Sequence, residues 1–565
     1  MKSLDELIQP YIDDHSAVGA AIAVLQNSQI TYLGGFGKTC VEDHGIPVTP
    51  QTLFAYGSIS KNFCAAVVMR LVEQGLLDLD QPVVEYLPGF QFSRKDFGNK
   101  VTLRHLLSHT SGLPMAGKYW GPRDPDSLGR FVYEQIPYYK FLAVPGRVHL
   151  YSNTVICIAG HVAEVVTGKY YEDLIQEYVF DPLEMIDSTF DPAIAMTYPL
   201  ALPHKRNPDG TLKVEHRMTY NVSGSPSSFA YGSVTDLAHL AQMYLNQGNY
   251  HELQYLSPYS IDEMQKPHAS RYIDEHIHPL ANVNRGYGLG FNTGEYKGKR
   301  AARHGGMNLS FNCFFDLFPD DGAGVVILTN YSNDEPLLEL VAALYDYALD
   351  LPYVGIVRSS RPAPISKPDN THQLEDFSGS FLNVESGSLV RFKVIEDKLV
   401  IENRDNTIPL TQYSSHQFYA VITEKFIQLI AFIRNAEGIL THVMLSGNPY
   451  FPVVVDPSFH PRPDLWENYQ GTYKDPTNRN MSDIFTVRIK DETLFIAEGD
   501  KEVPCSPITN RRFTSELGTI EFEDTRIEPI KILVWGLSTR FYPLAEEKFK
   551  DGKIIEYLVD VPTSS

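Results

Sequence analysis

A serine hydroxyl becomes a working nucleophile when a neighbouring group takes its proton, and a base one helical turn away on the same face can do so. The run Ser58-Ile59-Ser60-Lys61 has that spacing. Lys61 stands three and seven residues before Cys64 and Val68. Its amine therefore falls on the apolar stripe of its own helix, where desolvation works against an ammonium ion. The helix N-terminus adds positive potential beside Ser58, where an oxyanion would form during acyl transfer. Ser-x-x-Lys alone is a weak signal, since a chain of this length holds about two by chance. Its weight comes from company in order along the chain, Tyr151-Ser152-Asn153 and then His304-Gly305-Gly306 just ahead of a strand-like run.

The elements that must position these groups are legible around them. Gly19 to Gln26 and Gln29 to Phe36 alternate about Asn27-Ser28, which predicts a hairpin. After Gly57, the residues Cys64, Val67, Val68, Leu71 and Val72 recur at helical spacing as far as Gly75, with Ser58 at the helix start. Asn312 to Leu317 and Gly324 to Leu328 predict two late strands, and Glu335 to Leu349 an amphipathic helix. Early and late strands around a helix-rich middle predict an α+β domain, an antiparallel sheet packed with helices, over residues 1–357.

Pro362, Pro364 and Pro368 mark residues 358–370 as a linker. Beyond it the chain is strand-like and repeats itself. Phe377-Ser378-Gly379-Ser380-Phe381 returns as Tyr469-Gln470-Gly471-Thr472-Tyr473, and Asp397-Lys398-Leu399-Val400-Ile401 as Glu492-Thr493-Leu494-Phe495-Ile496. Two copies of one small antiparallel β domain, a barrel or a sandwich, are predicted at 371–455 and 464–565, joined by a proline-rich linker at 456–463.

With these motifs in place, the chain resembles the serine penicillin-recognising enzymes related to class C β-lactamases (peptidase family S12). Val101 to Pro114, Pro145-Gly146, Tyr231 to Asp236 and Gly286-Tyr287-Gly288-Leu289-Gly290 carry the resemblance further. It implies Ser58 as acylated nucleophile, Lys61 as its base and Tyr151 as the phenol that shuttles a proton to the leaving group. It further implies substrate binding by Asn153, Gly305 and Gly306, and an oxyanion hole from the backbone N–H groups of Ser58 and Met307. The family's Lys-Thr-Gly, whose cation and hydroxyl hold a substrate carboxylate, is here His304-Gly305-Gly306. That variant resembles the one in D-aminopeptidases and related amidases and esterases, and it counts His304 with the catalytic group. A catalytic domain followed by two lipocalin-like barrels is similar in architecture to D-aminopeptidase. The expectation is a D-stereospecific aminopeptidase or amidase acting on small peptides or amides with a free amino terminus. The alternatives are an esterase, a peptide acyltransferase or thioesterase of the same fold, and a non-catalytic binding protein.

Composition narrows the field. The 565 residues are 43% hydrophobic and 12% aromatic, with a net charge of −21. This describes an ordered multidomain protein that would be repelled by nucleic acid and by anionic membranes. Met1 to Val18 carries four acidic residues where an export signal needs a basic start. A cytoplasmic protein follows, with no membrane partner, and a homo-oligomer stays open. The five scattered cysteines form neither a disulfide framework nor a zinc spacing. His105 and His109, four apart on a predicted helix, lack the intervening glutamate of a metalloprotease, and His276 and His278 fit a polar loop. No metal or cofactor is expected. Gly286 to Gly290 lacks the strand and acidic residue of a dinucleotide site, and no Gly-x-Ser-x-Gly elbow occurs.

Overall fold

The structure is a computed structural model. It describes residues 3–13, 17–115, 123–139, 141–207, 209–271, 286–331, 334–352 and, with interruptions, 373–558. The chain divides into two compact units, Met1–Leu113 with Gly121–Arg361, and Pro114–Trp120 with Pro362–Ser565.

The first unit is built on an eight-stranded sheet. Numbering only its strands, they are β1 (Gly19–Gln26), β2 (Gln29–Gly37), β3 (Ala269–Ser270), β4 (Gly286–Tyr287), β5 (Asn292–Tyr296), β6 (Lys299–Asn308), β7 (Phe311–Phe318) and β8 (Ala323–Thr329). Their order across the sheet is β2-β1-β8-β7-β6-β5-β4-β3, and every pair is antiparallel. The β1–β2 turn passes through Asn27 and Ser28 with φ of 51° and 58°, the left-handed pair that suits a tight hairpin. Strand β1 is buried along almost its whole length, and its Gly19, Ala20, Ala21 and Ala23 leave room for helices on both faces of the sheet. On one face Leu4 and Ile8 of α1 (Leu4–Asp13) and Leu337, Val341 and Leu344 of α5 (Asp334–Ala348) share a core with Ile22, Val24, Phe314, Val325 and Ile327. On the sheet also packs α4 (Val234–Leu245), its N-terminus capped by the Ser233 side chain.

Between β2 and β3 lies the helical region. A tight 3₁₀ turn, Gly57–Ile59, runs directly into α2 (Ser60–Glu73), which ends before Gly75 at φ 72°. Helix α2 packs against α3 (Asn153–Thr167), whose end is set by Gly168 at φ 68°. Both helices are buried nearly all round, as interior helices of a large domain are. The expected helix carrying both His105 and His109 is shorter than its spacing suggests. It stops at Leu107, and His109 lies beyond it at φ 57°, so the two rings meet different partners.

The second unit contains two closed barrels. Eight strands from Gly379–Asn383 to Asn448–Val453 form the first, closed where Phe381 pairs with Pro452. Eight from Gly471–Lys474 to Thr539–Pro543 form the second, closed where Tyr473 pairs with Pro543. The repeated motifs have a structural meaning. A 3₁₀ turn before the first strand of each barrel buries Phe377 in one copy and Tyr469 in the other. Each later motif sits at a hairpin turned by two residues of positive φ, Glu396 (48°) with Asp397 (57°) and Asp491 (47°) with Glu492 (58°). Aromatic side chains cluster in both cores, Phe377, Phe381, Phe392, Phe418 and Phe432 in the first, Trp466, Tyr469, Phe513 and Phe522 in the second. The linker at 358–370, like residues 456–459 of the second, lies outside the described residues.

All five cysteines are buried, and none forms a disulfide among the described residues. Burial pushes the thiols of Cys64, Cys313 and Cys505 up to about 12. Among the described residues no helix is long and apolar enough to cross a membrane, and no group of three or more His, Cys, Asp or Glu is placed to hold a metal ion.

A buried ion pair ties β6 to β7. Arg303 Nε donates to Asp316 Oδ1 at 2.7 Å, and the Tyr345 hydroxyl of α5 donates to Asp316 Oδ2. Removing the carboxylate would take the Asp316 charge away from a buried guanidinium. Asp316→Ala is expected to destabilise the first unit by about 3–5 kcal/mol, read as an earlier transition in denaturant unfolding of the full chain, with Tyr345→Phe costing less.

Candidate active site

From Thr52 to Met69 every residue is buried except Ser58, which is half-exposed. The backbone makes this possible by turning at Gly57, whose φ of 55° starts the 3₁₀ turn. Ser60 Oγ donates to Gly57 O at 2.8 Å and pins the turn from below. One helical turn on, Lys61 Nζ lies 2.9 Å from Ser58 Oγ and donates to the backbone carbonyl of Ser227 at 2.8 Å. It also sits 4.9 Å from the centroid of the Tyr151 ring. A hydroxyl, an amine and a phenol ring are thus grouped at the one accessible point of a buried helix start.

Strand β6 supplies the wall beside the serine. A Cβ on Gly57 would come within 2.7 Å of both N and O of Met307, so the Met307 backbone lies directly against the turn. A Cβ on Gly306 would fall 2.0 Å from Tyr56 O, whereas one on Gly305 would meet only Cys313 O, at 3.7 Å. The two glycines therefore serve different purposes. Gly306 lets the strand close on the nucleophile turn, and Gly305 leaves space open. The Met307 side chain is 71% exposed, while its main chain is held in the pairing with Asn312. Asn153 opens α3, and its side-chain Oδ1 is buried without a hydrogen-bond partner among the described residues. An orphaned amide oxygen at such a place is costly unless something else completes it.

His304 is buried. Its Nδ1 lies 2.7 Å from Gly305 O and its Nε2 2.9 Å from the Tyr287 hydroxyl. Tyr287 is in turn 3.2 Å from His109 Nε2, and His109 Nδ1 is 3.2 Å from the backbone N of Ser152. Burial first, with the Lys61 charge next, pushes His304 down to about 3. Burial also holds His109 and His149 well below the usual histidine range, and the nearby Arg271 works in the same direction on all three. Arg271 reaches Asn292 Oδ1 through Nη1, and its Nε is buried without a hydrogen-bond partner among the described residues.

These contacts bring Ser58, Lys61, Tyr151, His304, Gly306 and Met307 together in the first unit, with Asn153 two residues beyond Tyr151 and Gly305 next to His304 in the chain. What sequence reasoning missed are its supports. The Ser227 carbonyl carries no side-chain signal at all. His109 lies in the run Val101 to Pro114 and Tyr287 in Gly286 to Gly290, but nothing in their spacing joins two residues so far apart in the chain. His276 and His278 lie outside the described residues.

Behind the turn, Tyr56 donates to Ser233 O at 2.7 Å and lies 3.2 Å from Ser188 Oγ, which donates to Asp236 Oδ2 at 2.7 Å. Burial pushes Asp236 up to about 7. A carboxyl raised on folding binds its proton more tightly in the native state. Its stabilising contribution is complete below its ordinary value near 3.8 and is lost as pH rises through about 7. The thermal stability of wild type relative to Asp236→Asn is therefore expected to fall between those two values. The close approach at Tyr56 yields a second expectation. Gly306→Ala should lower activity about 100-fold by displacing β6 from Ser58, while Gly305→Ala folds normally, the pair being compared by steady-state kinetics and circular dichroism.

Comparison with known proteins gives the family and the fold. Residues 4–349 match the Beta-lactamase family. "Penicillin-binding protein 4" of Amycolatopsis lactamdurans is 32% identical over 191 residues, 34% of this chain and 49% of that protein. "Unguisins hydrolase ungD'" of Aspergillus campestris is 29% identical over 366 residues, 61% of this chain and 65% of that protein. The chain thus spans between about half and two thirds of the length of these curated relatives. The solved structure of SurE with D-Leu shares the fold at a TM-score of 0.62 and 22% identity, over 80% of this chain and 99% of that one. The turn bearing Ser58 and Lys61, the tyrosine at the head of α3 and the glycine-bearing strand all lie within the matched residues, and the chain belongs to the Beta-lactamase family.

Proposed function

We propose that the protein is a serine hydrolase acting through an acyl-enzyme on Ser58, and that it is a D-stereospecific aminopeptidase or amidase. The observation that carries the hydrolase reading is the 2.9 Å contact between Lys61 Nζ and the one accessible hydroxyl of a buried segment. Lys61, as the free amine, takes the Ser58 proton while Oγ attacks the substrate carbonyl carbon. The carbonyl oxygen becomes an oxyanion facing the backbone N–H groups of Ser58 and Met307, which cost no reorganisation because strand and turn are already closed on each other. The proton passes by way of the Tyr151 hydroxyl to the leaving nitrogen, the C–N bond breaks and the amine departs. Water then attacks the acyl-Ser58 ester by the same route in reverse, returning the proton to Ser58 Oγ. Asn153 Oδ1 would accept an N–H from the acyl side of the substrate, which completes its hydrogen bonding.

The choice of substrate rests on the third motif and on the architecture. His304-Gly305-Gly306 offers neither the cation nor the hydroxyl that would hold a substrate carboxylate, which favours substrates recognised at another end. A hydrolase domain followed by two small barrels supports the likeness to D-aminopeptidase, and SurE, which shares the fold, is known with D-Leu. The same lack of carboxylate-binding groups also suits an esterase or a peptide acyltransferase, the second reading.

Paired D- and L-alanine and leucine amides, a nitrophenyl ester and a chromogenic cephalosporin test these readings with wild type and Ser58→Ala. Cleavage of the D-amides by wild type alone is expected. Turnover of the ester alone would favour the second reading, and full activity in Ser58→Ala would reject the mechanism.

A further inference from the structure

The hydrogen bonds behind the site have a direction that two independent ends impose. A backbone N–H can only donate, so Ser152 N–H requires His109 Nδ1 to be unprotonated. The His109 proton then sits on Nε2 and is donated to the Tyr287 oxygen. At the far end a carbonyl can only accept, so Gly305 O requires the proton of His304 on Nδ1. That leaves His304 Nε2 as a lone pair, which takes the Tyr287 O–H at 2.9 Å. Counting from either end gives the same tautomers and the same neutral rings. Among the described residues the charged groups acting on the relay are Arg271 and Arg303, with Lys61 when it carries a proton, and each opposes protonation of the rings. His149 and Tyr151, the other titratable groups facing it, pack edge-on or tilted against His109 and Tyr287.

The two ends are the two sides of the site. Ser152 stands between Tyr151 and Asn153, and Gly305 stands between His304 and Gly306. We infer that His109, Tyr287 and His304 form a fixed, neutral hydrogen-bond relay that positions the Tyr151-Ser152-Asn153 segment against strand β6. In this relay His304 is a positioning residue and transfers no proton, since both of its ring nitrogens are already engaged. The inference deepens the serine-hydrolase reading and rests on it for its kinetic consequence, but its protonation pattern is independent of catalysis.

The first experiment is nitrogen NMR of the full-length protein labelled with ¹⁵N-histidine, with signals assigned by His109→Gln and His304→Gln. His304 is expected as the neutral Nδ1–H tautomer and His109 as the neutral Nε2–H tautomer throughout the range of about pH 5–8 where an ordinary histidine titrates. A ring that titrates in that range, or the opposite tautomer at either position, overturns the relay whatever the enzyme acts on. The second is Tyr287→Phe, which keeps the ring and removes the central hydroxyl. It is expected to lower kcat about 10–100-fold, with the pH profile of kcat unchanged in shape and Ser58 still labelled to completion by a fluorophosphonate. An unchanged kcat, or a limb of the profile that moves, overturns the positioning role. Failure of wild type to label at Ser58 would instead reject the hydrolase reading and leave the NMR result standing.

Discussion

The closing of β6 on the 3₁₀ turn before α2 is the constraint from which the site follows. Two polypeptide backbones meet there with no side chain between them, Gly306 against the Tyr56 carbonyl and Gly57 against Met307. Such an approach is open only to glycine. Because the contact is backbone to backbone, the Ser58 hydroxyl and the strand are held in register by covalent geometry and sheet pairing rather than by adjustable side chains. The sheet has to be large and covered on both faces to hold one strand so firmly. Burial of β1, β7 and β8 under the helices meets that need.

Electrostatics in the site is organised by exclusion of water. Arg271 and Arg303, joined by Lys61 once it has taken the Ser58 proton, bring positive charge into a buried region, and among the described residues Arg303 has a carboxylate in direct contact, Asp316. Such a field favours developing negative charge on an oxyanion and works against extra protons on the three buried histidines. One set of cations thus serves two ends at once.

How far this could be read in the sequence depended on whether a feature is local. Ser58 and Lys61 share one helical turn, and periodicity placed that helix to within a residue or two. The first hairpin and the last strands were legible for the same reason, through alternation and turn residues. The internal repeat was visible because each barrel begins with the same buried aromatic, glycine and strand, and turns the same two-residue hairpin. Non-local partners were not legible. That His109 would leave its helix and face Tyr287, or that the Ser227 carbonyl would receive Lys61, is decided by tertiary packing that no spacing encodes. His105 and His109 illustrate the limit, since their i,i+4 spacing suggested one face of one helix and the chain turns between them.

The buried cysteines have a practical bearing on how this molecule can be handled. A thiol reacts as its thiolate and only where a reagent can reach it; all five cysteines are enclosed, and Cys64, Cys313 and Cys505 also hold their protons to about pH 12. The native chain is therefore a quiet background for bioconjugation. A single cysteine introduced at the exposed Met307 position would be the reactive thiol of the folded first unit, so that a fluorophore or spin label could be seated at the lip of the site with the five native cysteines left in place.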